Sequence, residues 1–226
     1  MFGFLIGIVS AAVSVISSMA ATVGPAIATV AKTIVSLAPT LQKVIIFGNV
    51  VSDIARILGV LGPEENAEDI GAKAMQEGTR PREINESAQD YLDYLRNEVE
   101  LDREKQAKMD EKDRMACIAA GSALVLATTA EKNDVELTPT YIANASKSRL
   151  LSADNILKMA HKFKDNNIEI NKFNEYFDNN LSGNELLKTH ETIKAVVKEI
   201  NPDMSEKEIR NEITNMESEI KTVSDD

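Results

Sequence analysis

Hydrophobic and polar positions divide the chain into an apolar front and a charged remainder. Met1 to Ala31 contain no charged side chain. Within that run Gly3, Gly7, Ser10, Ser14, Ser17, Ala21, Gly24, Ala28 and Ala31 recur at alternating steps of four and three. The mean period of about 3.5 draws one continuous seam of small residues along a helix. Phe2, Phe4, Leu5, Ile6, Ile8, Val9, Val13, Ile16, Val23 and Ile27 cover the rest of its surface. Small residues that let backbones approach, with large apolar ones around them, are the pattern of helices packing inside lipid. An equally apolar helix also suits the core of a water-soluble oligomer. A secretory signal fits less well, because such a segment needs a basic start and no Lys or Arg precedes Lys32.

Proline and glycine cut this front into three predicted helices. Residues 2–23 predict a helix about 33 Å long, enough for a hydrocarbon core of roughly 30 Å. Gly24-Pro25 should break it, and the apolar pattern resumes from Ala26 to Leu37 before Ala38-Pro39. A third segment runs from Thr40 to Leu61 and closes at Gly62-Pro63. It is amphipathic, with Asn49, Asp53 and Arg56 near one face. In a pore this polar stripe would face a wet lumen; in a soluble bundle it would be the exposed side. Residues 1–62 therefore read as an apolar hairpin for membrane insertion or for an oligomer core.

Residues 63–86 read as a polar connector carrying one short helix at about 66–76. From Ser87, a plausible N-cap, the pattern predicts one long helix over 87–130. Its middle, residues 102–114, is almost wholly polar, whereas Met115 to Ala130 contain no charge. There Ala116, Ala120, Ala123 and Ala127 repeat the 4,3,4 spacing and make a second small-residue seam. At about 24 Å this segment is short for a lone span and is expected to be buried against a partner. The two seams are expected to pack on each other or on further copies of the chain.

Residues 131–226 predict an acidic helical domain with helix starts at Thr138-Pro139, Ser152, Asn171 and the Ser205–Glu208 capping box. A helix from about Asn184 to Ile200 carries Leu186, Leu187, Ile193, Val196, Val197 and Ile200. Ile209, Ile213, Met216 and Ile220 form a short seam of coiled-coil or helical-hairpin type. The fold class is thus all-α: an N-terminal apolar helical hairpin joined through a long helix to a small acidic helical bundle.

Charge sharpens the division. Lys32, Lys43 and Arg56 against Asp53 give residues 1–62 a net +2 within an overall −11, leaving −13 for the rest. An acidic body argues against a nucleic-acid partner, which is gripped by neutralising phosphates. With one cysteine, Cys117, there is no intrachain disulfide framework.

Chemistry is sparse. His161 and His190 have no ligand-like spacing, and no phosphate-binding glycine loop or nucleophile elbow occurs. Residues 165–177 have some likeness to a calcium-binding loop, but Ile170 stands at the glycine position and Tyr176 at the bidentate glutamate position. No catalytic residue, cofactor or metal is expected, and an enzyme is not.

The layout, an Ala/Gly/Ser-rich apolar terminus joined to long polar helices, resembles in style two groups: small helical pore-forming or secreted effector proteins, and the virion proteins that phages eject to build a conduit through the bacterial envelope. The expected role is a membrane-inserting, homo-oligomeric pore or conduit, with the lipid bilayer and subunits of a larger assembly as partners. Such a protein is membrane-associated after deployment and otherwise held in a virion or secreted assembly. The rival expectation is a non-enzymatic structural subunit of a large particle, a virion, tail or secretion machine, whose apolar N-terminus is buried between subunits.

Overall fold

Glycine and proline set the first helix boundaries. The computed structural model describes residues 2–222, with side-chain surroundings from residue 7 to residue 221. Among the described residues there are twelve helices and no strand, so the all-α class holds. The chain forms two compact units, Met1–Asp134 and Val135–Asp226.

In the first unit α1 (Phe2–Val23) ends at Gly24, whose φ of 90° suits only glycine. Pro25 then opens α2 (Pro25–Leu37) at a position where a missing N–H costs nothing. Thr40 caps α3 (Leu41–Ile57) by accepting from the Lys43 N–H, and Asn66 caps α4 (Ala67–Met75) in the same way.

The single long helix expected over 87–130 is instead three: α5 (Ala88–Glu98), α6 (Arg103–Ala107) and α7 (Glu111–Asn133). Side-chain chemistry explains the breaks. Asp102 accepts from the Lys105 N–H and Asp110 from the Asp113 N–H, so each aspartate starts a new helix instead of continuing the old one.

α7 is the axis of this unit. Every residue from Met115 to Leu126 is buried, and α1, α2, α3, α4 and α5 all pack on it. Residue size alternates between axis and sheath. α7 presents mostly small residues, among them Ala116, Ala119, Ala120, Gly121 and Ala123, while Ile16, Ile34, Phe47, Ile54, Tyr91 and Leu92 press inward from the surrounding helices. Each fully buried side chain of the latter kind contributes about 1.5–3 kcal/mol relative to exposure.

Residues 63–86, expected as a connector, contain the helix that approaches the axis most closely. A Cβ on Gly71 would stand 1.8 Å from the Cys117 carbonyl oxygen, and one on Gly121 would stand 1.8 Å from that of Ala67. α4 and α7 therefore touch backbone to backbone. Two side chains satisfy the ends of α5. Glu131, near the end of α7, accepts from the Ala88 and Gln89 N–H groups (2.9 and 3.1 Å), and Lys73 donates to the carbonyls of Leu95 and Arg96.

The second unit comprises α8 (Pro139–Ala145), α9 (Ala153–Asp165), α10 (Lys172–Phe177), α11 (Gly183–Ile200) and α12 (Glu206–Thr222). Thr138 and Ser152 cap their helices, and Ser205 and Glu208 bond reciprocally. Asn171 makes no capping bond; its side chain accepts from the Thr138 hydroxyl instead.

The core gathers Tyr141, Phe163, Phe173 and Phe177, and the buried Tyr141 hydroxyl donates to the Ile156 carbonyl at 2.6 Å. Ile209, Ile213, Met216 and Ile220 are all buried within this unit, where α12 packs on α11. Leu186 and Leu187 are 38% and 63% exposed. The buried side of α11 begins only at Thr189 and continues through Thr192, Ile193, Val196 and Val197.

Candidate functional site

The first small-residue seam points away from the axis. Gly7, Ser10, Ser14, Ser17 and Ala21 are exposed, Gly24 is half-buried, and Ala28 is buried against the unit. Gly3 lies outside the residues whose side-chain surroundings are described. The inward face of α1 is Ala12, Ile16, Met19 and Val23. These larger side chains fill the space left by the small ones of α7. The outward hydroxyls satisfy themselves locally: Ser14, Ser17, Thr29, Thr33 and Ser36 each donate to the carbonyl four residues earlier. Lys32 is the only charge in residues 2–37. The result is a smooth outer surface on α1 and α2 with little charge.

Attachment of that surface is unlike the rest of the unit. Among the described residues no ion pair or side-chain hydrogen bond ties α1 or α2 to another helix. The polar link between them and the remainder is the Arg82 N–H donating to the Thr22 carbonyl (2.7 Å). The second seam lies inside the unit: Ala116, Ala120 and Ala123 are fully buried and Ala127 is partly so.

α3, α4 and α6 are held by charge. A cleft of about 690 Å³ opens between them and α7, lined by Asn49, Arg56, Glu68, Asp69, Arg103 and Arg114 among others. Of the predicted polar stripe, Asn49 and Arg56 line this cleft. Asp53 is exposed beside them and accepts from Arg56 at 2.6 Å. Arg56 also donates twice to the Glu65 carbonyl (3.1 and 2.6 Å). Arg103 grips Asp69 with both arms of its guanidinium (2.7 and 2.8 Å), and Arg114 grips Glu68 (2.7 and 3.1 Å). Behind the cleft, Arg96 holds Glu65 (2.6 and 2.9 Å).

The Arg103 and Arg114 pairs latch α4 to α6 and α7, and the Arg96 pair ties α5 to the turn that precedes α4. Partial burial pushes the Asp69 carboxyl up, but bonds from Arg103, Gln106 and Asn66 outweigh it and hold the group below its ordinary value. Glu65 is held down against burial in the same way by Arg96 and the Gly62 N–H. The residues of these latches escaped the sequence reading because each pair is separated by more than thirty positions; no local spacing signals them.

The remaining polar candidates are dispersed. His161 is exposed and His190 is half-buried, its Nδ1 2.7 Å from the Tyr176 hydroxyl. In the calcium-loop-like stretch Ile170 and Asn174 are buried. Cys117 is buried within α7. Among the described residues no three His, Cys, Asp or Glu side chains converge on a metal position.

Among the described residues, too, no helix is long and apolar enough to cross a membrane. α1 as a whole, Phe2–Val23, has 22 residues and runs about 33 Å at 1.5 Å per residue. The span expected over 2–23 draws on residues 2–6, whose side chains lie outside the described residues. No family model matches the chain, and the comparisons find no similar curated protein and no similar solved structure.

Proposed function

We propose that this is a membrane-inserting, oligomeric helical protein that forms a pore or conduit and performs no catalysis. Residues 2–61 leave α7 and enter lipid, delivered from a virion or secreted assembly, while the acidic second unit stays in water. The observation that supports this reading best is the way α1 and α2 are attached. They cover the uncharged axis through apolar contacts, without an ion pair to break among the described residues. Lipid offers apolar side chains an environment as favourable as the protein core, so transfer of α1 and α2 forfeits little, while α3 gives up the Arg56–Glu65 and Ser52–Ala67 bonds. Its departure uncovers the seam at Ala116, Ala120, Ala123 and Ala127, which then packs on further copies. In the assembled state Asn49, Asp53 and Arg56 line the wet side.

The test uses the full chain. Ser14 and Ser17 are exposed, so Ser14→Glu with Ser17→Glu leaves the water-soluble fold intact and places charge where lipid or a neighbouring helix must come. Wild type should float with phosphatidylcholine–phosphatidylglycerol vesicles and release an entrapped dye, and the double variant should do neither. If wild type stays unbound and releases nothing, membrane insertion is refuted.

A second reading, a structural subunit of a large particle, has its own support in the absence of a membrane-length apolar helix among the described residues. It predicts that wild type forms a large oligomer without lipid and that the same substitutions dissolve it.

A further inference from the structure

Three sulfur atoms from separate parts of the first unit converge beside the cleft. The Cys117 Sγ lies 3.7 Å from the Met75 Sδ and 3.7 Å from the Met109 Sδ. Met75 is the last residue of α4, Met109 lies in the link between α6 and α7, and Cys117 is in the second turn of α7. The backbone contact at Gly71 explains the first meeting: α4 lies against the Cys117 carbonyl, and Met75 follows one turn later on the same helix face.

We propose that Cys117, Met75 and Met109 form a binding site for a soft monovalent cation, copper(I) above all. Three sulfurs around one ion, with metal–sulfur bonds of about 2.3 Å, stand about 4 Å apart in a trigonal plane. The two Cys117–methionine separations fall just inside that value. Thiolate and thioether donors select copper(I) over the harder divalent ions.

Charge makes the same selection. One thiolate and one monovalent cation give a neutral buried site, whereas a divalent ion leaves a net charge away from water. Among the described residues no three His, Cys, Asp or Glu side chains gather there to complete a divalent site. Entry is through the cleft, since Met109 lines it together with Glu68 and Asp69. On binding, the thiol proton leaves to solvent as the sulfur–metal bond forms, the two thioethers donate lone pairs, and no electron is transferred.

The test is anaerobic competition between the full chain and bicinchoninate-bound copper(I), read from loss of the chelator's colour. Wild type should withdraw one equivalent, and X-ray absorption should show a first shell of sulfur alone. Met75→Leu with Met109→Leu keeps core volume and shape and should weaken retention at least tenfold, the usual scale for losing partners at a metal site. Cys117→Ser should abolish it.

The methionine pair decides the matter even if the cysteine variant fails to fold. If the folded Met75→Leu/Met109→Leu protein retains copper(I) as tightly as wild type, the site is refuted. It is equally refuted if wild type withdraws none or if nitrogen or oxygen fills the first shell.

Discussion

Gly121→Ala sets two physical effects of opposite sign against each other. In an exposed helix interior, replacing Gly by Ala adds about 0.5–1 kcal/mol of stability. At position 121 the new Cβ would stand 1.8 Å from the Ala67 carbonyl oxygen and 2.8 Å from the Gly71 nitrogen, where ordinary contact begins near 3.4 Å. Both neighbours are backbone, so no side chain can swing aside; α4 must retreat by roughly 1.5 Å. A radial gap of about 0.5–1 Å already forfeits a quarter to a half of a dispersion contact. The retreat therefore strips contacts along the buried face of α4, at Ala67, Ile70, Gly71 and Ala74.

Overpacking of this kind costs about 1–3 kcal/mol and sometimes more. With the propensity gain subtracted, the expected net loss is about 1–2 kcal/mol, or a melting temperature lower by about 2–8 °C. Thermal unfolding of the full chain by far-ultraviolet circular dichroism gives the magnitude, and hydrogen exchange of the α7 amides assigns it to the first unit. Gly7→Ala is the matched control, because an added Cβ there meets nothing within 4 Å; it should stabilise. A Gly121→Ala protein as stable as wild type would refute the backbone contact between α4 and α7.

Three further outcomes follow from named contacts. Ser52→Ala removes the hydroxyl that accepts from the buried Ala67 N–H at 2.9 Å, and should cost the first unit about 1–3 kcal/mol in urea unfolding; no change would mean water replaces the bond. Tyr141→Phe removes the donor to the Ile156 carbonyl and should cost about 0.5–1.5 kcal/mol, with the loss of exchange protection confined to the second unit. Glu65 and Asp69 have folded values below their ordinary 4.5 and 3.8, so the unfolded chain binds more protons as the solution is acidified. Their contribution is complete above those values and is lost as pH falls through the lower folded ones. The urea midpoint of the first unit should therefore drop on the acid side of 4.5, and a flat midpoint there would remove the carboxylate latches from the account.

Local chemistry was legible in the sequence and long-range geometry was not. Gly24-Pro25 and the caps at Ser87, Thr138, Ser152 and Ser205 act through neighbours within a few residues, so their effect is written beside them. Asp102 and Asp110 were equally local, but they sit in a charged run whose overall character reads as continuous helix. Periodicity revealed that α1 has a small face without revealing which way it turns. That depends on α7, whose own small residues leave room for Ile16 and Met19. Gly48, Gly71 and Gly121 gain their meaning only from the crossing helix: a Cβ on Gly48 would meet Ile118 at 2.6 Å. The cleft is the extreme case. Asn49 and Arg56 belonged to a visible stripe, whereas Arg103 and Arg114 find Asp69 and Glu68 only after four helices have assembled.

The second unit is tethered to the innermost helix rather than to any helix of the sheath, since Val135 follows directly on the end of α7. Tension arriving through that tether therefore loads the axis itself. Near that end the axis is held by the clasp of Glu131 on the start of α5. A pull on the acidic unit would thus be transmitted to the centre of its neighbour, as a pull cord acts on a spindle.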